Sequence, residues 1–179
     1  MSSKYKITPN TNIYFITTST HLWIPILTNE PLCKIILDSL KYCQTNKGLR
    51  IHGYVIMPSH IHALISHEIS SQIPNVIRDF KRHTSRQIKD FLYKHGKFSR
   101  LFWVKVFHND KDSRTHVWQR GYHPKAVFSA HFFKQKLTYI HANPVRKGYI
   151  EKPEYWKYSS ARNYLLGDNS LIVIDEISW

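Results

Sequence analysis

The strongest constraint on this chain is a pair of apolar, β-rich runs, Arg50 to Met57 and Ile61 to Ser66, with Pro58-Ser59 between them. Runs of that length on either side of a proline turn predict two buried strands folded back as an antiparallel hairpin. A further strand is expected at Ile13 to Ser19, where β-branched and aromatic residues concentrate. Helical periodicity predicts a helix from about Glu30 to Thr45, with Leu32, Ile36, Leu40 and Cys43 on one face and Gly48 beyond its end. A longer helix, about Ile73 to Tyr93, carries Ile73, Ile77, Phe80, Ile88 and Phe91 as its apolar stripe. Short strands are expected at Phe102 to Phe107 and Thr115 to Arg120, with a polar turn at Asn109 to Ser113. A last helix, about Ser129 to Asn143, should stop at Pro144. The remainder reads as loop and short helix, with a polar, aromatic stretch at Pro153 to Tyr164 and an apolar run at Leu171 to Ile174. Helices interspersed with hairpin-connected strands predict an α+β fold built on an antiparallel sheet.

Charge narrows the choice of partner. Lys plus Arg number 26 against 12 Asp plus Glu, a net charge of +14 with neutral histidines. Such an excess favours a polyanion, nucleic acid ahead of an anionic membrane; the plainer reading is a basic soluble protein. Aromatic residues make up 14% of the chain, and rings among cations suit unpaired bases, although most rings in most proteins only pack. On the second helix Arg78, Lys81, Arg82, Arg86 and Lys89 are candidates for phosphate contact, with Asp79 and Asp90 as the only acidic neighbours. No apolar run is long enough to span a membrane, and Met1 to Asn12 is polar, without the apolar core of a signal peptide, so a soluble, cytoplasmic protein is expected. Cys33 and Cys43 share one helical stretch, roughly 15 Å apart, too far for a disulfide, and read as reduced thiols.

Two stretches carry candidate chemistry. In Met57-Pro58-Ser59-His60-Ile61-His62, strand alternation puts His60 and His62 on one face and Ile61 on the other. Two imidazoles with Cβ atoms about 7 Å apart can converge on one cation. With 12 histidines in the chain the pair alone is weak. The second stretch is the helix ending Leu137-Thr138-Tyr139-Ile140-His141-Ala142-Asn143-Pro144. Ala130, Phe133, Leu137 and Ile140 should face the core, leaving Phe132, Lys136, Tyr139 and Asn143 on another face. That face offers an ammonium, a phenol and an amide together.

In combination these blocks resemble the Y1 transposases of the IS200/IS605 type, and within them the REP-associated tyrosine transposases. The matching stretches are Tyr14 to Thr18, Tyr54 to His62, Val117-Trp118-Gln119, Tyr139 to Gly148 and Pro153 to Ser160, in family order. The resemblance implies a ferredoxin-like α+β fold of the HUH nuclease type. It implies a tail at 1–12, a catalytic domain at 13–150 and a C-terminal extension at 151–179 that is a candidate for DNA contact. It further implies that His60 and His62 bind a metal ion, Mg²⁺ or Mn²⁺, with Asn143 as a polar third ligand, and that Tyr139 is the nucleophile. The expected activity is cleavage and strand transfer on single-stranded DNA near hairpins through a 5′-phosphotyrosine. Lys136, one turn before Tyr139, could hold a phosphate or simply be solvated. Both monomers and homodimers are consistent with the resemblance. The rival readings are a non-catalytic DNA-binding module derived from such an enzyme, and a metal-dependent hydrolase with no covalent step.

Overall fold

A computed structural model of the protein describes residues 12–95, 98–109 and 114–177. In chain order the elements are β1 (Ile13–Ser19), α1 (Glu30–Asn46), β2 (Arg50–Met57), β3 (His60–Ser66), α2 (Ile73–His95) and α3 (Arg100–Phe107). They continue with β4 (His108–Asn109), β5 (Arg114–Thr115), β6 (Lys125–Ala126), α4 (Ala130–Arg146) and α5 (Ala161–Leu166). The main sheet has the order β2-β3-β1-β6, and every pairing in it is antiparallel. With α1 between β1 and β2 and α2 after β3, this is the ferredoxin-like arrangement.

Strand alternation sorts the core into two layers. Tyr14, Ile16, Ile51, Tyr54, Ile56, Ile61, Ala63 and Ile65 pack with the apolar faces of α1 and α2. Phe15, Val55, Met57 and Leu64 point the other way, into a smaller cluster with Phe133 and Ile140 of α4. His60 and His62 share the parity of Leu64, so they lie on the α4 side of the sheet.

A bulge in β2 between Ile51 and Gly53 breaks the register with β3. It leaves His52 buried, with its Nε2 2.7 Å from Ser66 Oγ. The bulge lets α4 approach closely. A Cβ at Gly53 would stand 2.6 Å from Leu137 Cδ1, so any other residue there would force the Leu137 side chain to move.

The segment after α4 runs along the outer edge of β2. Ile56 N donates to Tyr158 O and Ser160 N to Tyr54 O, each at 2.9 Å. Asp175 N donates to Ile51 O at 2.9 Å, while Ile51 N donates to the Asp175 carboxylate at 2.7 Å. Tyr164 Oη and Trp156 Nε1 donate to the carbonyls of His52 and Ile56. The 151–177 segment therefore closes the sheet edge rather than trailing from the domain.

Three expected elements differ. Phe102 to Phe107 is helix, not strand: Ser99 Oγ caps it by accepting from Phe102 N, and only Trp103 and Phe107, one turn apart, are buried. Thr115 to Arg120 forms no continuous strand. Thr115 pairs with His108, Trp118 bridges to Thr20, and Gln119 N donates to Ser19 O. Val117 and Trp118 are drawn into the core there, which bends the segment away from a flat ladder. Finally, α4 continues through Pro144 to Arg146. The proline forgoes one helical N–H, but Lys147 N donates to Asn143 O and Tyr149 N to Pro144 O, which closes the last turn. Cys33 and Cys43 are buried and free, and burial pushes their thiols up to about 12 and about 11. Residues 110–113 of the expected polar turn, and all of the N-terminal tail except Asn12, lie outside the described residues. No helix among the described residues is long and apolar enough to cross a membrane.

Candidate functional site

The end of β3 nearest the Pro58-Ser59 turn presents the two histidines. Their ring centroids are 4.8 Å apart. Both are buried, and burial drives both pKa values down, to about 4 for His60 and about 3 for His62. The Lys147 charge adds to the effect at His60; His60 and Lys136 add to it at His62. Both imidazoles are therefore neutral at neutral pH and keep a ring lone pair for a ligand.

Each Nδ1 already has a neighbour. Thr17 Oγ1 is 2.8 Å from His62 Nδ1, and Ser59 Oγ is 3.2 Å from His60 Nδ1. If Nε2 binds a cation, the proton resides on Nδ1 and is donated to these hydroxyls, which fixes both tautomers. Phe15 stacks on His62 at 5.3 Å and holds the ring in place from β1.

The facing wall is α4, capped by Ser129 Oγ accepting from Phe132 N. Phe133 and Ile140 anchor it to the sheet, so Tyr139 is half-buried over the histidines. Its ring stands edge-on to His62 with centroids 5.3 Å apart. Two cations flank the phenol: Lys136 Nζ lies 5.9 Å and the Arg146 guanidinium 5.3 Å from the ring centroid. Burial, with Lys125 adding, lowers the Lys136 pKa.

Asn143 lies one turn beyond Tyr139 and one turn before Lys147, whose charge reaches His60. It is buried, and its Oδ1 has no hydrogen-bond partner. A buried carbonyl oxygen without a donor costs about 1–3 kcal/mol. A cation shared with the imidazoles would satisfy it. Among the described residues no group of three or more His, Cys, Asp or Glu side chains could hold a metal. Two neutral imidazoles and an orphaned amide oxygen do fit a divalent ion that keeps some of its water.

The basic face of α2 is not part of this site, because α2 covers the opposite side of the sheet. Arg78 and Arg82 lie 3.5 and 3.1 Å from Asp79, and Arg86 lies 3.9 Å from Asp90. Lys89 Nζ donates to Thr115 Oγ1 at 3.2 Å. Lys81, expected beside them as a phosphate contact, instead turns inward: its ammonium donates to Gln119 O at 2.6 Å and to Gly121 O. Of the candidate basic residues, only Lys136 stands beside Tyr139.

Several residues of the site escaped sequence reasoning. Thr17 and Phe15 alternate onto the face that meets His62, a pairing visible only once the β1–β3 register is known. Arg146 lies seven residues after Tyr139, and that two-turn spacing could have flagged it. Trp23, whose ring meets His60 at 5.4 Å, lies in a loop with no periodic signal.

The chain is similar to known proteins. A Haemophilus influenzae protein described as a REP-associated tyrosine transposase is 26% identical over 121 residues, 59% of this chain and 54% of that protein. The chain thus spans about half the length of that relative. The solved structure of a REP-associated tyrosine transposase bound to a REP hairpin superposes with a TM-score of 0.69 at 16% identity, covering 100% of this chain and 93% of the other. That likeness shows a shared fold. Residues 13–143, which include His60, His62, Tyr139 and Asn143, match the family described as IS200-like transposases, and the chain belongs to that family.

Proposed function

We propose that this protein cuts and rejoins single-stranded DNA, with Tyr139 as the nucleophile and His60, His62 and Asn143 as the ligands of a divalent cation. The observation that carries this reading is the Tyr139 ring edge-on to His62, 5.3 Å from a neutral imidazole that is itself 4.8 Å from a second.

A phenol ionises near pH 10 in water and is a weak nucleophile at neutral pH. The Lys136 and Arg146 cations beside the ring draw a phosphate into line with it. The Tyr139 oxygen attacks the scissile phosphorus and the P–O3′ bond breaks. The products are a 5′-phosphotyrosine and a free 3′-hydroxyl, the phenolic proton having passed to solvent and a proton to the departing oxygen. Because the phosphodiester is exchanged and not hydrolysed, a 3′-hydroxyl can later attack the phosphotyrosine and rejoin a strand without ATP. Held by His60, His62 and Asn143, a Mg²⁺ or Mn²⁺ ion would supply charge neutralisation for the phosphate, and two imidazoles would favour Mn²⁺ on intrinsic affinity.

The solved relative binds a REP hairpin. By analogy the substrate here is a single strand next to a DNA hairpin. Phosphate contact by Arg78, Arg82, Arg86 and Lys89 would engage a part of that DNA other than the strand at Tyr139.

The test is a covalent-adduct assay against pooled single-stranded hairpins with Mn²⁺. The wild-type protein should become attached to DNA, and Tyr139→Phe should bind DNA without attachment. Adduct formation by Tyr139→Phe would remove Tyr139 from the role. Cleavage that turns over without adduct would indicate a hydrolase, and binding without cleavage a DNA-binding module.

A further inference from the structure

We infer that Trp23 is a stacking platform for an unpaired base of the DNA strand, one that adjoins the phosphate to be cut. The inference rests on the reading of the site as a single-strand nuclease.

The loop after β1 holds two consecutive non-glycine residues in the left-handed region, Leu22 at φ 50° and Trp23 at φ 58°. That conformation is unfavourable for any residue with a Cβ and persists only where the surroundings over-determine it. Here they do. Thr20 is fully buried, its N donates to Ser59 O at 2.8 Å, and its Oγ1 lies within hydrogen-bond distance of the carbonyls of Ile24 (2.8 Å) and Ser59 (2.9 Å). His21 N donates to Val117 O, and Leu27 N to Pro58 O. The loop is thus bolted to the turn from which His60 emerges.

The result is an unusual presentation. Ile26 and Leu27, a few residues on, are buried in the core, whereas Trp23 is 54% exposed and Leu22 71% exposed. The Trp23 ring meets His60 at 5.4 Å and 65°, an edge contact that leaves much of the indole open. Rings follow one another from Trp23 to His60, His62 and Tyr139. A strand whose phosphate lies between the histidines and Tyr139 would bring a neighbouring base to the indole. Unpaired bases offer π faces that a duplex hides, and Lys147 near His60, on a chain of net charge +14, supplies attraction for the backbone. Trp103 and Trp118 are buried, so neither can serve in its place.

The strain supplies a discriminating variant. Trp23→Gly suits φ 58° and should fold with an unchanged or higher melting temperature. It should nevertheless bind the cleavable strand about tenfold or more weakly, the effect of losing one stacked base. Trp23→Phe should stay within a few-fold of wild type, and Leu22→Gly, which relieves strain but keeps the indole, should bind as wild type does. Affinities are measured by fluorescence anisotropy in a Tyr139→Phe background. An abasic nucleotide beside the scissile position should weaken wild-type-loop binding but leave Trp23→Gly unaffected. Equal affinity of Trp23→Gly and the wild-type loop, or equal sensitivity of the two to the abasic site, would overturn the assignment. If the wild-type protein forms no adduct with any strand, the nuclease reading itself fails and the assignment falls with it.

Discussion

Thr17 Oγ1 lies 2.8 Å from Nδ1 of His62, across the central β1–β3 pair of the sheet. With a cation on Nε2, this hydroxyl accepts the Nδ1 proton and orients the ring. Thr17→Val keeps the shape and removes the hydroxyl. It should weaken Mn²⁺ binding about 10-fold or more while the fold persists, as loss of outer hydrogen bonds does at histidine metal sites. Isothermal titration calorimetry checks this; unchanged affinity would mean that the hydroxyl does not orient the ligand.

Asn143 should show a conflict between stability and function. Its buried Oδ1 lacks a partner, so Asn143→Leu should leave the metal-free protein as stable as wild type or stabilise it by up to about 1 kcal/mol. The same variant should lose most of the rise in melting temperature that Mn²⁺ gives the wild type. Thermal melts with and without metal measure both effects, and an undiminished metal-induced rise would exclude Asn143 as a ligand.

Lys81 should behave as a structural residue and not as a phosphate contact. Its ammonium joins α2 to the carbonyls of Gln119 and Gly121, so Lys81→Met should lower stability by about 1–2 kcal/mol. The dependence of DNA affinity on salt concentration should keep its slope, whereas Lys136→Met should reduce that slope by about one. A reduced slope for Lys81→Met would place its charge on DNA after all.

Acid should destabilise the fold through buried histidines. Burial lowers the pKa of His52, and that of His141 to about 4, below the value near 6.5 of an unfolded chain. Between about pH 6.5 and 4 the unfolded chain binds more protons at these rings, so the stability they contribute falls as pH drops through that window. The melting temperature should fall by several degrees from pH 7 to pH 5, and His141→Gln should flatten the slope. A flat profile for wild type would show that these rings are free to ionise in place.

The hairpin, α1 and α2 were legible because each has a strong period or clear punctuation: Gly48 follows α1, and Pro58-Ser59 divides β2 from β3. Residues 102–107 misled because β-branched and aromatic residues suit a strand, while the capping hydroxyl of Ser99 and the one-turn spacing of Trp103 and Phe107 favour a helix. The histidine pair and the Tyr139–Asn143 face followed from local geometry. What local geometry could not supply was the layer each element joins. The basic face of α2 read as a phosphate contact, but that it lies across the sheet from Tyr139 became visible only in the fold. His141 shows the same limit: its Nε2 lies 2.9 Å from Ser160 Oγ, joining two motif blocks that are distant in sequence.

The matched family region ends at residue 143, yet the chain beyond it supplies the partners of β2. A bare edge strand is a ready template for another chain's backbone. Shortening the protein to the matched region would bare the outer rim of β2 and uncover the site of Ile172 in the core. Self-association of such a truncated form would therefore report a missing shield against aggregation, not a natural dimer.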